Sequence, residues 1–468
     1  MWSAVLVWFL ATPLFTSVGA DFLAGSAAAD ITPPVGWRKA GGYDEVISKG
    51  VHDPLFAKAL VFEQGGERAA LVVCDLTGMS RPVCDRARAE AGRLTGIPVA
   101  HIAISATHTH GGPEYHGVLW DIWRARTIRA KGRDDTAPFD YQDLLAARIT
   151  AAITNAWAAR RPVTLAAGIA AQTSLAFNRR YHMRDGTVRF NPGKQNPDIV
   201  APAGPTDDAL PIVLFRDAAT GTPRASLTSF AMHVATFGHD DEFGADFPAV
   251  LQTDLRARLG PDFFSLFGEG CAGDVNHVDV RSAAEQPGDT EPVRIGHALS
   301  ATILAKLPEL RPVVSPSLAV RSEKVPVPLQ EISPEQVARA KKVLANELTS
   351  TPAFMLQVEA YRVLNAQLIR ERHGDYIPME VQVFRLAADT AVVTLPHEVF
   401  VEIGLAIKAA SPFAHTQVVT IANDVDWYVP TRKAFAEGSY EVTTCPVKPG
   451  VGETLVATAV KLLNQLKP

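Results

Sequence analysis

The sequence predicts an α/β fold, a mixed β-sheet core flanked by helices. Short apolar runs of strand length alternate with stretches at helical spacing, and several of those runs end in a polar cluster. With 47% hydrophobic and 20% charged residues over 468 positions, the composition is that of a folded globular chain able to bury a large core.

Taken in order, Ala69–Asp75 and His101–Ala106 read as buried strands. Between them Val83–Leu94 carries Arg and Ala at helical spacing, a β-α-β pattern. Tyr141–Arg160 reads as a helix with Leu144, Leu145, Ile149, Ile153 and Trp157 on one face. The pattern repeats with strand Ala225–His233, helix Pro248–Leu259 and strand Phe263–Phe267. Residues 330–372 are helix-rich with a break near Thr351-Pro352; strands Met379–Arg385 and Ala391–Leu395 then lead into a helix over Glu398–Ala409. A last helix is expected over Val451–Leu466. No Gly/Ser-rich linker divides the chain, so residues 21–468 are read as one catalytic domain.

Residues 1–20 are set apart as a signal peptide: Ala4–Ala11 is an apolar core and Val18-Gly19-Ala20 offers small residues at a cleavage site. A secreted or periplasmic protein is expected, although the missing Lys or Arg before the apolar core leaves an uncleaved anchor as the alternative. No later run spans a bilayer. A net charge of -5 without a Lys/Arg cluster gives no electrostatic case for nucleic acid or anionic membrane. Four cysteines are too sparse for a disulfide scaffold. Cys74 lies in an apolar run as a buried thiol, while the spacing leaves a Cys271–Cys445 bridge open.

The polar clusters are Asp75, Ser105–Gly112, His233, Gly268–His277 and His397-Glu398. Carboxyl ends of strands form the ligand crevice in α/β sheets, so these clusters are expected to converge. The sharpest is Ala106-Thr107-His108-Thr109-His110-Gly111-Gly112-Pro113. In extended backbone, residues i and i+2 share a side, so both imidazoles can bind one metal, or one can bind it while the other faces substrate. Read alone, His233 reads first as a core histidine, Glu398 reads also as a first-turn helix glutamate, and Gly273–Asn276 as a turn.

Together these segments resemble the neutral/alkaline ceramidase family. Ala29-Asp30-Ile31-Thr32-Pro33-Pro34-Val35-Gly36 with Gly42-Tyr43, then His52–Leu60, then residues 106–113, with Gly111-Gly112 where the family has Ser-Gly, match family signatures in order across its catalytic domain. The resemblance implies a zinc held by His108, His233, Glu398 and Tyr428. It implies Arg179 and Tyr440 as substrate-facing donors and His110 as general base or proton shuttle. Tyr440-Glu441 stands at the family's spacing from Tyr428. Two imidazoles, a carboxylate and a phenol suit Zn²⁺, which acidifies a bound water to a pKa of about 7.

Two departures bear on substrate. The family's Gly-Asp-Val-Ser-Pro-Asn, with its proposed serine nucleophile, is here Gly273-Asp274-Val275-Asn276-His277; an amide cannot replace an alkoxide. Asp274 and Asn276 are therefore carried as site residues, with water as the attacking group. After the helix expected over Val451–Leu466 no counterpart of the family's C-terminal immunoglobulin-like domain is expected, which makes ceramide itself a doubtful expected substrate. The expected function is hydrolysis of an amide in a ceramide-like lipid or another N-acylated compound. The alternatives are a hydrolase of a non-amide substrate such as a glycan, and a noncatalytic exported glycan- or lipid-binding domain that keeps its metal. A TIM-barrel amidohydrolase would need an eightfold rhythm that the chain lacks.

Overall fold

The computed structural model describes residues 21–134, 136, 140–345 and 354–467. The leader expected over 1–20 and the helix break at Thr351-Pro352 lie outside the described residues.

Two sheets stack face to face. The larger runs Phe264–Glu269, Pro223–Phe230, Ala209–Asp217, Arg161–Ala171, Leu23–Asp30, Phe56–Gln64, Glu67–Cys74, Ile102–Ala106, with Arg311–Pro312 branching from Arg161–Ala171. Its end pairs are parallel, Glu67–Cys74 with Ile102–Ala106 and Pro223–Phe230 with Phe264–Glu269, whereas its middle is antiparallel. The smaller sheet runs Pro316–Pro328, Tyr376–Ala387, Thr390–Thr394, His415–Val419, the last pair parallel. The mixed sheet predicted from sequence is thus present.

Between the sheets lies a core of Phe62, Phe215, Leu227 and Leu266 against Val320, Phe384, Val392 and Val419. Helices Arg81–Thr95 and Tyr141–Ala158 cover one part of the large sheet, Phe247–Leu259 and Glu291–Lys306 another. Val401–Ala410 and Val451–Gln465 cover the small sheet's outer face.

Local chemistry accounts for several of these elements. Arg81–Thr95 begins with Pro in its first turn and stops at Gly96, whose φ of 71° is the left-handed cap glycine favours. Asp140 caps Tyr141–Ala158 by accepting from the Asp143 amide. Leu23–Asp30 carries Ala and Gly where strands usually carry branched residues, because helix Tyr141–Ala158 lies directly on it: a Cβ at Gly25 would stand 2.1 Å from the Ala156 carbonyl.

The structure shifts some expected boundaries. The strand expected over 225–233 ends at Phe230, so His233 sits in the loop beyond it. The helix expected from Glu398 begins at Val401, and Glu398-Val399 instead form a short ladder with Tyr428-Val429. All four cysteines are free and buried, so the Cys271–Cys445 bridge is not formed. Among the described residues no helix is long and apolar enough to cross a membrane.

One topological fact positions the site. The large sheet curls until edge strands Ile102–Ala106 and Phe264–Glu269 touch. The segment after His415–Val419 ties them together: Thr420 N donates to the Glu269 carbonyl at 2.9 Å and Asn423 N to the Ile104 carbonyl at 2.7 Å.

Candidate metal centre

His108 and His110 follow the carboxyl end of Ile102–Ala106, His233 that of Pro223–Phe230, Glu398 that of Thr390–Thr394 and Tyr428 that of His415–Val419. His108 follows Ile102–Ala106 with φ of 70°, so a left-handed residue, not strand alternation, turns the two imidazoles toward each other. Thr77 Oγ1 holds the Thr109 carbonyl at 2.8 Å, and Thr109 Oγ1 holds Gly244 O at 2.7 Å. Gly111 is required there, because a Cβ would meet Gly244 O at 2.3 Å. Asp75, expected to converge with the others, turns away to accept from the Phe56 amide and pair with Lys58.

The histidines differ in how they are held. His108 Nδ1 bonds the Thr77 carbonyl at 2.6 Å and His233 Nδ1 the Ala272 carbonyl at 3.0 Å. A carbonyl only accepts, so each ring carries a proton on Nδ1 and, when neutral, presents an Nε2 lone pair. Those atoms lie 3.1 Å apart, and each is 3.3 Å from Glu398 Oε2, which has no other partner despite its burial. With both imidazoles neutral, the three atoms are acceptors facing one another. Ligands about 2.0–2.1 Å from a tetrahedral zinc stand about 3.3–3.4 Å apart. The triangle therefore fits a metal ion in size and donor chemistry. His110 Nε2 lies 3.4 Å from His108 Nε2, so the three imidazoles form a second group able to share an ion.

Buried charge sets the protonation. For His233, burial and the neighbouring Arg179 push its pKa down to about 3. Burial alone would lower His108, but Glu269 and Glu398 raise it to about 9. Burial would raise Glu398, yet His108 and His233 hold it well below the usual range. Glu269 is lifted to about 8 by its own burial.

Arg179 approaches His233 Nε2 with Nη1 at 3.2 Å, while Nε binds Glu441 Oε1 at 3.0 Å and Nη2 the Gly273 carbonyl at 2.8 Å. Tyr428, the register partner of Glu398, has its hydroxyl within hydrogen-bonding reach of Glu398 and Arg179. Tyr440 hydrogen-bonds Tyr43, and its ring lies 5.6 Å from that of Tyr428.

A cavity of about 730 Å³ opens onto this centre, lined by His110, Arg179, His233, Asn276, Tyr428 and Tyr440 among others. Asn276 donates to Asn191 Oδ1 at 3.2 Å at the cavity wall. Asp274 does not line the cavity: it accepts from the Val401 amide and from Asn178 Nδ2 behind it. Sequence reading missed Tyr43, Phe190, Asn191 and Phe354 as wall residues, and Glu269 as a buried charge. A signal for Glu269 existed: a lone carboxylate closing the apolar run Phe263–Phe267.

The architecture is thus a pair of stacked sheets with a His-rich metal-type centre at converging strand ends. The same fold is seen in the crystal structure of neutral ceramidase from Pseudomonas aeruginosa, with TM-score 0.72 and 19% identity over 96% of this chain and 75% of that one. It recurs in a ceramidase complexed with C2, with TM-score 0.70 and 18% identity at the same coverage. In sequence, the chain is 37% identical over 101 residues to the neutral ceramidase of Drosophila pseudoobscura pseudoobscura and 36% over 103 residues to that of Drosophila melanogaster. Each match spans 20% of this chain and 14% of the relative. No protein-family profile matches the chain.

Proposed function

We propose that the chain is an exported zinc-dependent hydrolase of ceramidase type that cleaves an amide in a ceramide-like lipid or another N-acylated compound. The observation that carries this reading is the facing pair of imidazole Nε2 atoms at 3.1 Å, with Glu398 Oε2 3.3 Å from both. His108, His233 and Glu398 would hold the ion, with Tyr428 completing the set. Such an ion supplies a Lewis acid and an acidified water.

His110 is assigned the proton-carrying role: among the described residues no backbone carbonyl holds its Nδ1, and the ring lines the cavity. In this role it takes a proton from the attacking water and returns it to the leaving amine. Arg179, clamped by Glu441, and Tyr440, fixed by Tyr43, are donors toward the developing oxyanion. Asn276 stands where the related enzymes are expected to have serine, so water attacks without a covalent intermediate. The aromatic walls Phe190 and Phe354 beside Tyr440 suit an apolar acyl group, and Asn191 and Asn276 a polar head.

The test is metal analysis of purified protein followed by a panel of N-acyl substrates, comparing wild type with His108→Ala and Asn276→Ser. Zinc at one equivalent, with hydrolysis abolished in His108→Ala, supports the reading. Hydrolysis that persists without metal rejects it. Ceramide hydrolysis gained only in Asn276→Ser assigns the asparagine to a changed specificity.

A further inference from the structure

The role of Glu269 rests on the metal reading and extends it. Glu269 closes strand Phe264–Glu269 beside Phe230 in the neighbouring parallel strand, and His233 follows that strand end. Its side chain is 1% exposed, and Oε1 has no hydrogen-bond partner. That oxygen lies 3.8 Å from His233 Nδ1, on the side of the ring away from Glu398. A buried carboxylate is retained where a cation offsets it.

The local guanidiniums are already engaged. Arg179 is bound to Glu441 and the Gly273 carbonyl; Arg180 is bound to the other Glu441 oxygen and to Glu437. Neither guanidinium is hydrogen-bonded to Glu269. A divalent cation held by His108, His233 and Glu398 would offset the Glu269 carboxylate.

We propose that Glu269 is a positioning residue for the metal. From behind His233, and without touching the ion, its carboxylate strengthens His233 as a donor and supplies part of the negative charge that holds the cation. Outer carboxylates of this kind characteristically change metal affinity 10- to 100-fold.

The experiment uses the full chain and zinc. Zinc affinity is measured by chelator competition in wild type, Glu269→Gln and Glu269→Asp, alongside melting temperature with and without metal and the cobalt(II) absorption spectrum. The expected result for Glu269→Gln is zinc affinity lowered about 10- to 100-fold, with the cobalt spectrum keeping its band positions because no ligand is lost. Its metal-free melting temperature should stay near wild type, since Glu269 Oε1 makes no hydrogen bond that the amide would forfeit, while the rise on adding zinc shrinks. Glu269→Asp, which keeps the charge, should recover most of the affinity. If Glu269→Gln does not fold, Glu269→Met, apolar and of similar volume, carries the same expectation.

Zinc affinity within threefold of wild type in the neutral variant overturns the proposal, as does a metal-free melting temperature that falls as far as the metal-loaded one. Should wild type itself bind no zinc, the metal reading fails first. Should wild type bind zinc and Glu398→Gln alter the cobalt spectrum while Glu269→Gln leaves affinity unchanged, the metal reading stands and only the role of Glu269 is lost.

Discussion

Glu398 and Tyr428 are register partners in a two-residue parallel ladder, so a carboxylate and a phenol from distant parts of the chain rise on one side of the same short ribbon. Removing either alters the metal centre without touching the sheets. In Glu398→Gln the zinc content should fall well below one equivalent. Tyr428→Phe should keep zinc and lose most of the hydrolytic rate. Metal analysis and kcat on one preparation separate the two.

Bound metal should also stabilise the fold. A ligand that binds only the native state contributes about 2.7 kcal/mol when its free concentration is one hundred times Kd. A chelator should therefore lower the melting temperature of wild type, and zinc should restore it. In His108→Ala, which lacks one imidazole, chelator and zinc should leave the melting curve unmoved.

Gly41 abuts His110. It has φ of 101°, and a Cβ there would stand 2.7 Å from His110 Cβ and 2.9 Å from Cγ. Gly41→Ala combines a left-handed backbone cost of roughly 1–2 kcal/mol with displacement of the ring. The expected outcome is kcat reduced at least tenfold with zinc content unchanged.

Glu441 joins Arg179 and Arg180, with bonds of 3.0 Å to each and no exposure of its own. Glu441→Ala leaves two buried guanidiniums without this partner, and breaking a buried ion pair costs about 3–5 kcal/mol. Urea denaturation should show that loss. Activity should fall too, because Arg179 and the Tyr440 helix share this anchor.

All four thiols are buried and unpaired. A thiol reagent should label none quickly in the native protein and all four after denaturation, and a reducing agent should leave the melting temperature unchanged.

Strand–helix alternation between Ala69 and Ala106 was readable because those segments carry strong apolar runs and end in the motif itself. The antiparallel middle of the sheet was not. Leu23–Asp30 lacks branched residues, since helix Tyr141–Ala158 leaves no room for them. The position of Glu398 was misread as helical because a glutamate before Val401–Ala410 has the pattern of a first helical turn, and only pairing with Tyr428 pulls it into a ladder.

By itself the sequence determined which residue types were available: the paired histidines, an isolated Glu398, the Tyr428 and Tyr440 spacing, and a chain without basic patches. Tertiary structure decided which of them meet. His108 and His233 face each other only because the sheet curls its edges together and residues 420–423 tie them. Asp274 turns away because the Val401 amide and Asn178 claim both its oxygens. Local pattern encodes side-chain periodicity, but a metal centre depends on distances of about 3 Å between residues far apart in sequence, and those are fixed by packing.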